Sequence, residues 1–232
     1  MNAYAVEPPA ESYLDIVGSD EKFPVRRIYC IGKNYLAHII EMNADERDPP
    51  VVFMKPRDAL VRNGGEIPYP VFTKNLHYEC ELVVALKSGG YNIPEFEASK
   101  HIFGYAVGLD MTRRDHQAGA LAIGLPWEVT KAFDHSAPVG PVTSVEEIGI
   151  MNSGHVRLKV NGETRQCADI SLLIWKIDEI IAKLSEQYEL RPGDIVMTGT
   201  PAGVGAVTQG DVLDCSVDGL RPMQVRIGDR AA

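Results

Sequence analysis

The chain has no apolar run that could span a bilayer. A transmembrane helix needs about 18 or more consecutive apolar residues, and nothing in this sequence approaches that. Cysteine is sparse as well: Cys30, Cys80, Cys167 and Cys215 lie far apart and form no CxxC pair. Scattered thiols of this kind argue against a disulfide or zinc site and fit a reduced, cytoplasmic protein. Cations are in deficit, with 23 Lys and Arg against 32 Asp and Glu, a net charge of −9. That balance argues against nucleic acid or an anionic membrane as a partner. An anionic substrate would need cations placed locally. The first residues carry Glu and Pro where a secretory signal has a basic region, so no signal peptide is expected. The glycines of residues 198–205 (TGTPAGVG) precede no Gly-Lys-Ser/Thr, so they do not make a P-loop.

The 232 residues, 45% of them hydrophobic, suffice for one substantial core. Residues 1–24, with Pro8, Pro9 and Pro24, read as an irregular arm before a single domain over residues 25–232. Strands are expected at 27–31, 51–54, 78–86, 102–111, 139–142, 195–198, 212–217 and 223–227. Residues 127–133 also read as extended. Asn63-Gly64-Gly65 signals a hairpin, and Asn161-Gly162 a type I′ hairpin between 156–160 and 163–166. The clearest helix covers 171–186, with Leu173, Ile177, Ile180, Ile181 and Leu184 on one stripe. Shorter helices are expected at 35–42, capped by Asn34, at 95–100 and at 113–120. Many strands and no regular βαβ alternation favour an α+β, β-rich roll over a doubly wound sheet.

The densest chemistry is Glu79-Cys80-Glu81, followed by Asp110. Each acid sits in an otherwise apolar strand. Residues two apart in a strand share a face, roughly 6.6 Å apart, so Glu79 and Glu81 aim together. Like charges on one buried face are costly unless neutralised, and a hard divalent cation is the simplest partner. The alternative, on these residues alone, is a solvated face. His38 and Glu41, three apart on the first helix, share a face. A carboxylate beside an imidazole is a common way to build a general base, although surface pairs of this kind are frequent. Arg114, Gln117, Lys131 and Lys55 are the cations and amide that could meet an anion. The Thr200 hydroxyl and its neighbouring N–H groups could cradle one. His77, two before Glu79, is the least assignable histidine.

Taken together, GKNYLAHIIEM, FMKP, HYECEL, GLDMTRRDHQ, WEVTKAFD, LKVNGETRQ and DIVMTGTPAGVG occur in order from about Arg27 to the C-terminus. This set resembles the fumarylacetoacetate hydrolase family and, more narrowly, the bacterial fumarylpyruvate hydrolases of gentisate breakdown. The resemblance implies a mixed β-roll with a few flanking helices, a short lid helix and a homodimer. It implies Mg²⁺, with Mn²⁺ able to substitute, held by Glu79, Glu81 and Asp110. It makes His38 and Glu41 the water-activating dyad, Lys131 a catalytic oxyanion donor, and Arg114, Gln117, Thr200 and Lys55 substrate contacts. Family members often have His-His-Glu before the metal strand, where this chain has His77-Tyr78-Glu79.

The activity so implied is hydrolysis of the C–C bond of a 2,4-dioxo acid, foremost fumarylpyruvate to fumarate and pyruvate. Acylpyruvate hydrolysis and oxaloacetate decarboxylation are the nearest alternatives. A tautomerase needing no hydrolytic water, and a keto-acid binder without turnover, complete the set.

Overall fold

In the computed structural model, residues 4–35 and 49–230 are described. Two sheets account for most of the architecture. The larger has eight strands and is mixed. Its path runs Val51–Lys55, Arg27–Gly32, Asp194–Met197, Cys80–Leu86, Ile102–Leu109, Ala137–Val139, Leu60–Arg62, with Thr143–Ser144 also on Ile102–Leu109. Arg27–Gly32 runs parallel to Asp194–Met197, and Ala137–Val139 parallel to Leu60–Arg62; the other neighbours are antiparallel. The second sheet has five strands, Glu163–Asp169, His155–Val160, Val212–Val217, Met223–Arg230 and Gly65–Tyr69. A small sheet of Thr112–Arg113, Leu76–Tyr78 and Gly205–Val207 joins the loops around the acidic residues. The result is the expected β-rich α+β arrangement with few helices.

Every residue of Cys80–Leu86 is buried, because the strand is covered on both faces. Cys80, Leu82, Val84 and Leu86 face the major core, which the second sheet and the Ile177–Gln187 helix close. Val83 and Ala85 face a smaller core with Ile28, Cys30, Ala106 and Met197. Glu81 has the parity of Val83, and Asp110 that of Ala106, so both acids belong to the smaller-core face. Leu14 and Phe23 are buried in that same core. They come from Tyr13–Asp15 and Lys22–Pro24, which pair as a two-stranded sheet where an irregular arm was expected.

Several other expectations are corrected, each for a local reason. The strand expected at 78–86 is broken at Glu79. Leu76–Tyr78 leaves the main sheet to pair with Thr112–Arg113 and Gly205–Val207. Asn63 and Gly64 do take positive φ, but the strands on either side diverge. Leu60–Arg62 joins one sheet and Gly65–Tyr69 the other, so no hairpin forms.

Residues 127–133 are not extended. Glu128–Lys131 is a helical turn whose start is fixed on the Trp127 carbonyl, which accepts from Thr130 N, Lys131 N and Thr130 Oγ1. The helix expected at 171–186 begins only at Ile177. Ile170–Leu172 is a separate 3-10 turn, and Asn34 pins the bend between it and the helix: its Oδ1 accepts from Trp175 N at 2.8 Å and its Nδ2 donates to Trp175 O at 3.0 Å. Asn34 Nδ2 also donates to Thr198 O. The Asn161-Gly162 hairpin forms as expected, with both residues at positive φ. The helix expected at 35–42 lies, beyond Tyr35, outside the described residues. Among the described residues no helix is long and apolar enough to cross a membrane.

Ile177, Ile180, Ile181 and Leu184 seal one side of the major core. Ile181→Ala should therefore lower stability by about 2–5 kcal/mol through the cavity it leaves. Urea unfolding followed by circular dichroism checks this; a loss below about 1 kcal/mol would mean that the helix is not a working wall of the core.

Candidate metal centre and substrate cavity

Strand register brings the three acids together. Glu81 lies opposite Gly108 on the neighbouring strand, and one step further the Asp110 N–H donates to the Glu79 carbonyl at 2.8 Å. Gly108 contributes no side chain between the acids, and a Cβ there would come 2.5 Å from Val83 Cγ2. One carboxylate oxygen from each of Glu79, Glu81 and Asp110 lies within 4.8 Å of the others, and all three residues are buried. No other trio of His, Cys, Asp or Glu among the described residues comes so close.

Buried Lys131 and Lys55 and half-buried Arg114 partly answer this negative charge. The Lys131 ammonium donates to Glu79 Oε2 and Asp110 Oδ2, both at 2.6 Å, and to Thr112 Oγ1 at 2.7 Å. An ammonium has three donors, so all are engaged. Arg114 Nη2 donates to Glu79 Oε1 at 2.5 Å, Nη1 to Gln117 Oε1, and Nε to His77 Nδ1 at 3.3 Å. Lys55 Nζ lies 2.8 Å from Asp110 Oδ1 and donates to the carbonyls of Met111 and Lys131.

The protonation preferences follow. Burial opposes ionisation of Glu79, but Lys131 and Arg114 outweigh it and hold this carboxyl down at about 2. Burial likewise opposes the Lys131 charge, and Asp110 with Glu79 overcomes it, keeping the ammonium charged well above its usual range. Glu81 goes the other way. Burial first, then the negative charges of Asp110 and Glu79, push it well above a normal carboxyl. One N–H, from Gly199 at 2.7 Å, supports it. His77 is pushed down to about 4 by burial and then by Arg114. It is a neutral ring that accepts from Arg114 and gives its Nε2 proton to Asn75 Oδ1 at 3.0 Å.

These donors suit a hard divalent ion. They are oxygens, as Mg²⁺ and Mn²⁺ prefer. Asp110 Oδ1 is buried and accepts no hydrogen bond, since the nearby Lys55 is out of line for one. Glu81 lacks the countercharge that its two neighbours have.

The acids open into a cavity of about 230 Å³. Arg114, Gln117, Lys131 and Thr200 line it with the three acids, so seven of the expected site residues share one chamber. Lys55 does not reach it; that lysine is a buried strut under Asp110. Thr200 lines the wall, but its hydroxyl is turned inward, donating to Cys80 O and accepting from Gln166 Nε2, both at 2.8 Å. Tyr78, where the family resemblance implied a histidine, donates from its hydroxyl to Gly203 O at 3.1 Å. His38 and Glu41 lie outside the described residues.

The sequence reading passed over the apolar wall of Ile31, Phe53, Ala118, Leu121 and Trp127, and over Lys33 at its edge. Phe53 had a signal, two positions before Lys55 in one strand. Trp127 had none, because its place depends on the turn of helix after it. Phe53 and Trp127 pack at 5.5 Å between ring centres. Gly32 lies beneath them, where a Cβ would come 3.3 Å from Trp127.

The family pattern described as fumarylacetoacetate (FAA) hydrolase C-terminal matches residues 27–228. The chain belongs to the fumarylacetoacetate hydrolase family. Among solved structures, the fumarylpyruvate hydrolase of Pseudomonas aeruginosa in complex with Mn²⁺ and pyruvate superposes with a TM-score of 0.95. The two chains are 48% identical over 98% of this chain and 100% of that one. The fumarylpyruvate hydrolase of a Ralstonia species is 41% identical over 176 residues, 76% of this chain and 91% of that protein. The mitochondrial oxaloacetate tautomerase of Rattus norvegicus is 39% identical over 202 residues, 87% of this chain and 91% of that one. The roll predicted from the sequence is thus the family fold.

Lys131→Met keeps the length of the side chain and removes its charge. Without metal the variant should lose about 3–5 kcal/mol, because Glu79 and Asp110 lose a shared buried cation. Mn²⁺ should restore part of the loss by binding the folded state. Thermal melts in EDTA and in Mn²⁺ test this; identical melts for variant and parent in EDTA would show that the ammonium does not hold the acids.

Proposed function

We propose that this chain is a divalent-metal-dependent hydrolase of 2,4-dioxo acids, with fumarylpyruvate as the favoured substrate and fumarate and pyruvate as products. The observation that carries the reading is the buried Glu79, Glu81 and Asp110 trio at the floor of a cation-lined cavity. A relative of the same shape, 48% identical, holds Mn²⁺ and pyruvate. The all-oxygen donor set supports Mg²⁺ as the resident ion, with Mn²⁺ able to replace it. A homodimer, a cytoplasmic setting and a place in aromatic-acid breakdown rest on the family resemblance alone.

Bound there, such an ion would act as template and Lewis acid for the keto-acid end of the substrate. The remaining work falls to side chains. His38, oriented by Glu41, takes a proton from water, and the hydroxide attacks the C4 carbonyl. The C3–C4 bond then breaks, giving the acid and the pyruvate enolate, which is protonated at C3. The Gln117 amide NH₂ has no partner among the described residues, so it is the available donor to the C4 oxyanion. Lys131, with every donor engaged, holds Glu79 and Asp110 in place. Among the described residues two Arg114 N–H groups have no partner, which leaves them for a substrate carboxylate. Phe53 and Trp127 offer the acyl chain a dry wall.

A second reading is oxaloacetate keto–enol tautomerisation, favoured by the 39% identity to the rat tautomerase. It moves a proton between carbon and oxygen and requires no attacking water.

An ultraviolet assay with Mg²⁺ against fumarylpyruvate, acetylpyruvate and oxaloacetate in parallel separates the readings. The expected order of kcat/KM places fumarylpyruvate first, with activity lost in EDTA and in Glu81→Ala. Turnover that survives thorough EDTA treatment would sink the metal-dependent reading. His38→Ala should lower hydrolysis by about 100-fold or more while Mn²⁺ binding stays intact. If hydrolysis is unchanged, the dyad is wrongly assigned; if only tautomerisation is found, the second reading replaces the first.

A further inference from the structure

Gln166 lies in the middle of the Glu163–Asp169 strand, in the other large sheet, and has no accessible surface. Its hydrogen bonds account for a fully buried amide there. Gln166 Oε1 accepts from Cys80 N at 3.0 Å, while Nε2 donates to Thr200 Oγ1 and to Pro201 O, both at 2.8 Å. Thr200 Oγ1 in turn donates to Cys80 O at 2.8 Å. The ring closes on the backbone of the one residue between Glu79 and Glu81.

The reason such a clamp is needed lies in the sheet. Asp194–Met197 pairs with residues 83–85 of the acidic strand and stops there. Thr198 still reaches Leu82 O, through both its N–H and its hydroxyl. Gly199 then turns away at φ +103, and its N–H goes to the Glu81 carboxylate. Cys80 N–H and C=O would be left facing a missing strand. Buried backbone groups need partners, and the two side chains supply what a strand would.

We propose that Gln166 is a positioning residue for the metal centre. Its side-chain amide, closed through Thr200, replaces the missing strand and fixes the Cys80 peptide, and with it the directions of Glu79 and Glu81. Gly203 holds the loop against the hairpin for this purpose: at φ +96, a Cβ there would come 2.0 Å from Arg165 O. The proposal rests on the ion-binding reading above.

Gln166→Met is the direct test, since it keeps the shape of the side chain and removes all three hydrogen bonds. Mn²⁺ affinity, read by electron paramagnetic resonance of free Mn²⁺ on the metal-stripped full chain, should weaken about 10- to 100-fold at a temperature where the variant is folded. A purely structural glutamine would lower the urea midpoint and leave the affinity of the folded protein unchanged; that result overturns the proposal. If Gln166→Met does not fold, Thr200→Val opens the same ring and is held to the same outcome. Glu81→Ala is the control. Should it bind Mn²⁺ as the parent does, the ion-binding reading itself falls and the proposal with it.

Discussion

The site depends on placing three carboxylates on one buried face without letting them repel one another apart. Glu79 and Asp110 meet that constraint through one shared ammonium, Lys131, which spends all its donors on them and on Thr112. Lys55 stands under Asp110 and Arg114 beside Glu79. With Glu81 ionised, as it would be on binding a metal, three acids and three cations cancel. A divalent ion held by the acids would then bring the cluster to a charge of +2, matched to a dicarboxylate. The acidic whole, at −9, and an acidic substrate are reconciled in this cluster. Glu81 is the member left without a cation of its own, so its ionisation is coupled most closely to metal occupancy.

The backbone does the rest. Strand parity points Glu81 and Asp110 to one face, and antiparallel register sets Glu79 level with Asp110. The break after Tyr78 lets one end of the acidic strand leave the sheet and open a mouth. The main sheet supplies rigidity, because Cys80–Leu86 and Ile102–Leu109 are almost wholly buried and paired on both sides. Sites mounted on such elements hold their geometry better than sites on loops. The looser parts, the turn carrying Lys131 and the stretch after Thr198, are tied back by side-chain bonds to backbone, from Thr130 to Trp127 and from Thr200 to Cys80.

What the sequence made legible follows from range. The acidic trio could be read because parity is local and an acid in an apolar strand is conspicuous. The Asn161-Gly162 hairpin could be read because its turn chemistry is self-contained. The extended reading of 127–133 failed because Val129 and Thr130 look like strand residues, while the deciding contacts converge on the Trp127 carbonyl. The helix start at Ile177 was misplaced because Asn34, 141 positions from Trp175, pins the bend that separates the helix from the Ile170–Leu172 turn. Thr200 and Lys55, expected as substrate contacts, are tied to Cys80 O and Asp110. Side-chain direction there is set by Cys80 O and Asp110, partners that no sequence spacing announces. Gln166 closes the LKVNGETRQ block, but its role carried no signal, since an uncharged amide in a strand resembles any surface residue.

Hydrolase and tautomerase relatives at comparable identity pose a question that the acidic trio cannot answer, because both reactions begin from a 2-keto acid poised to enolise. The distinction must lie where the reactions differ, in the delivery of water and in the room beyond C3. Oxaloacetate ends in a short carboxylate, whereas a fumaryl group is flat, conjugated and longer. Phe53, Trp127, Leu121 and Ile31 form an apolar wall along the cavity, with Lys33 at its edge. Such a surface offers little to a carboxymethyl group, whose charge it would desolvate. It fits a planar chain that carries its charge out to the rim. The wall thus weighs toward the longer acyl substrate on grounds independent of sequence identity.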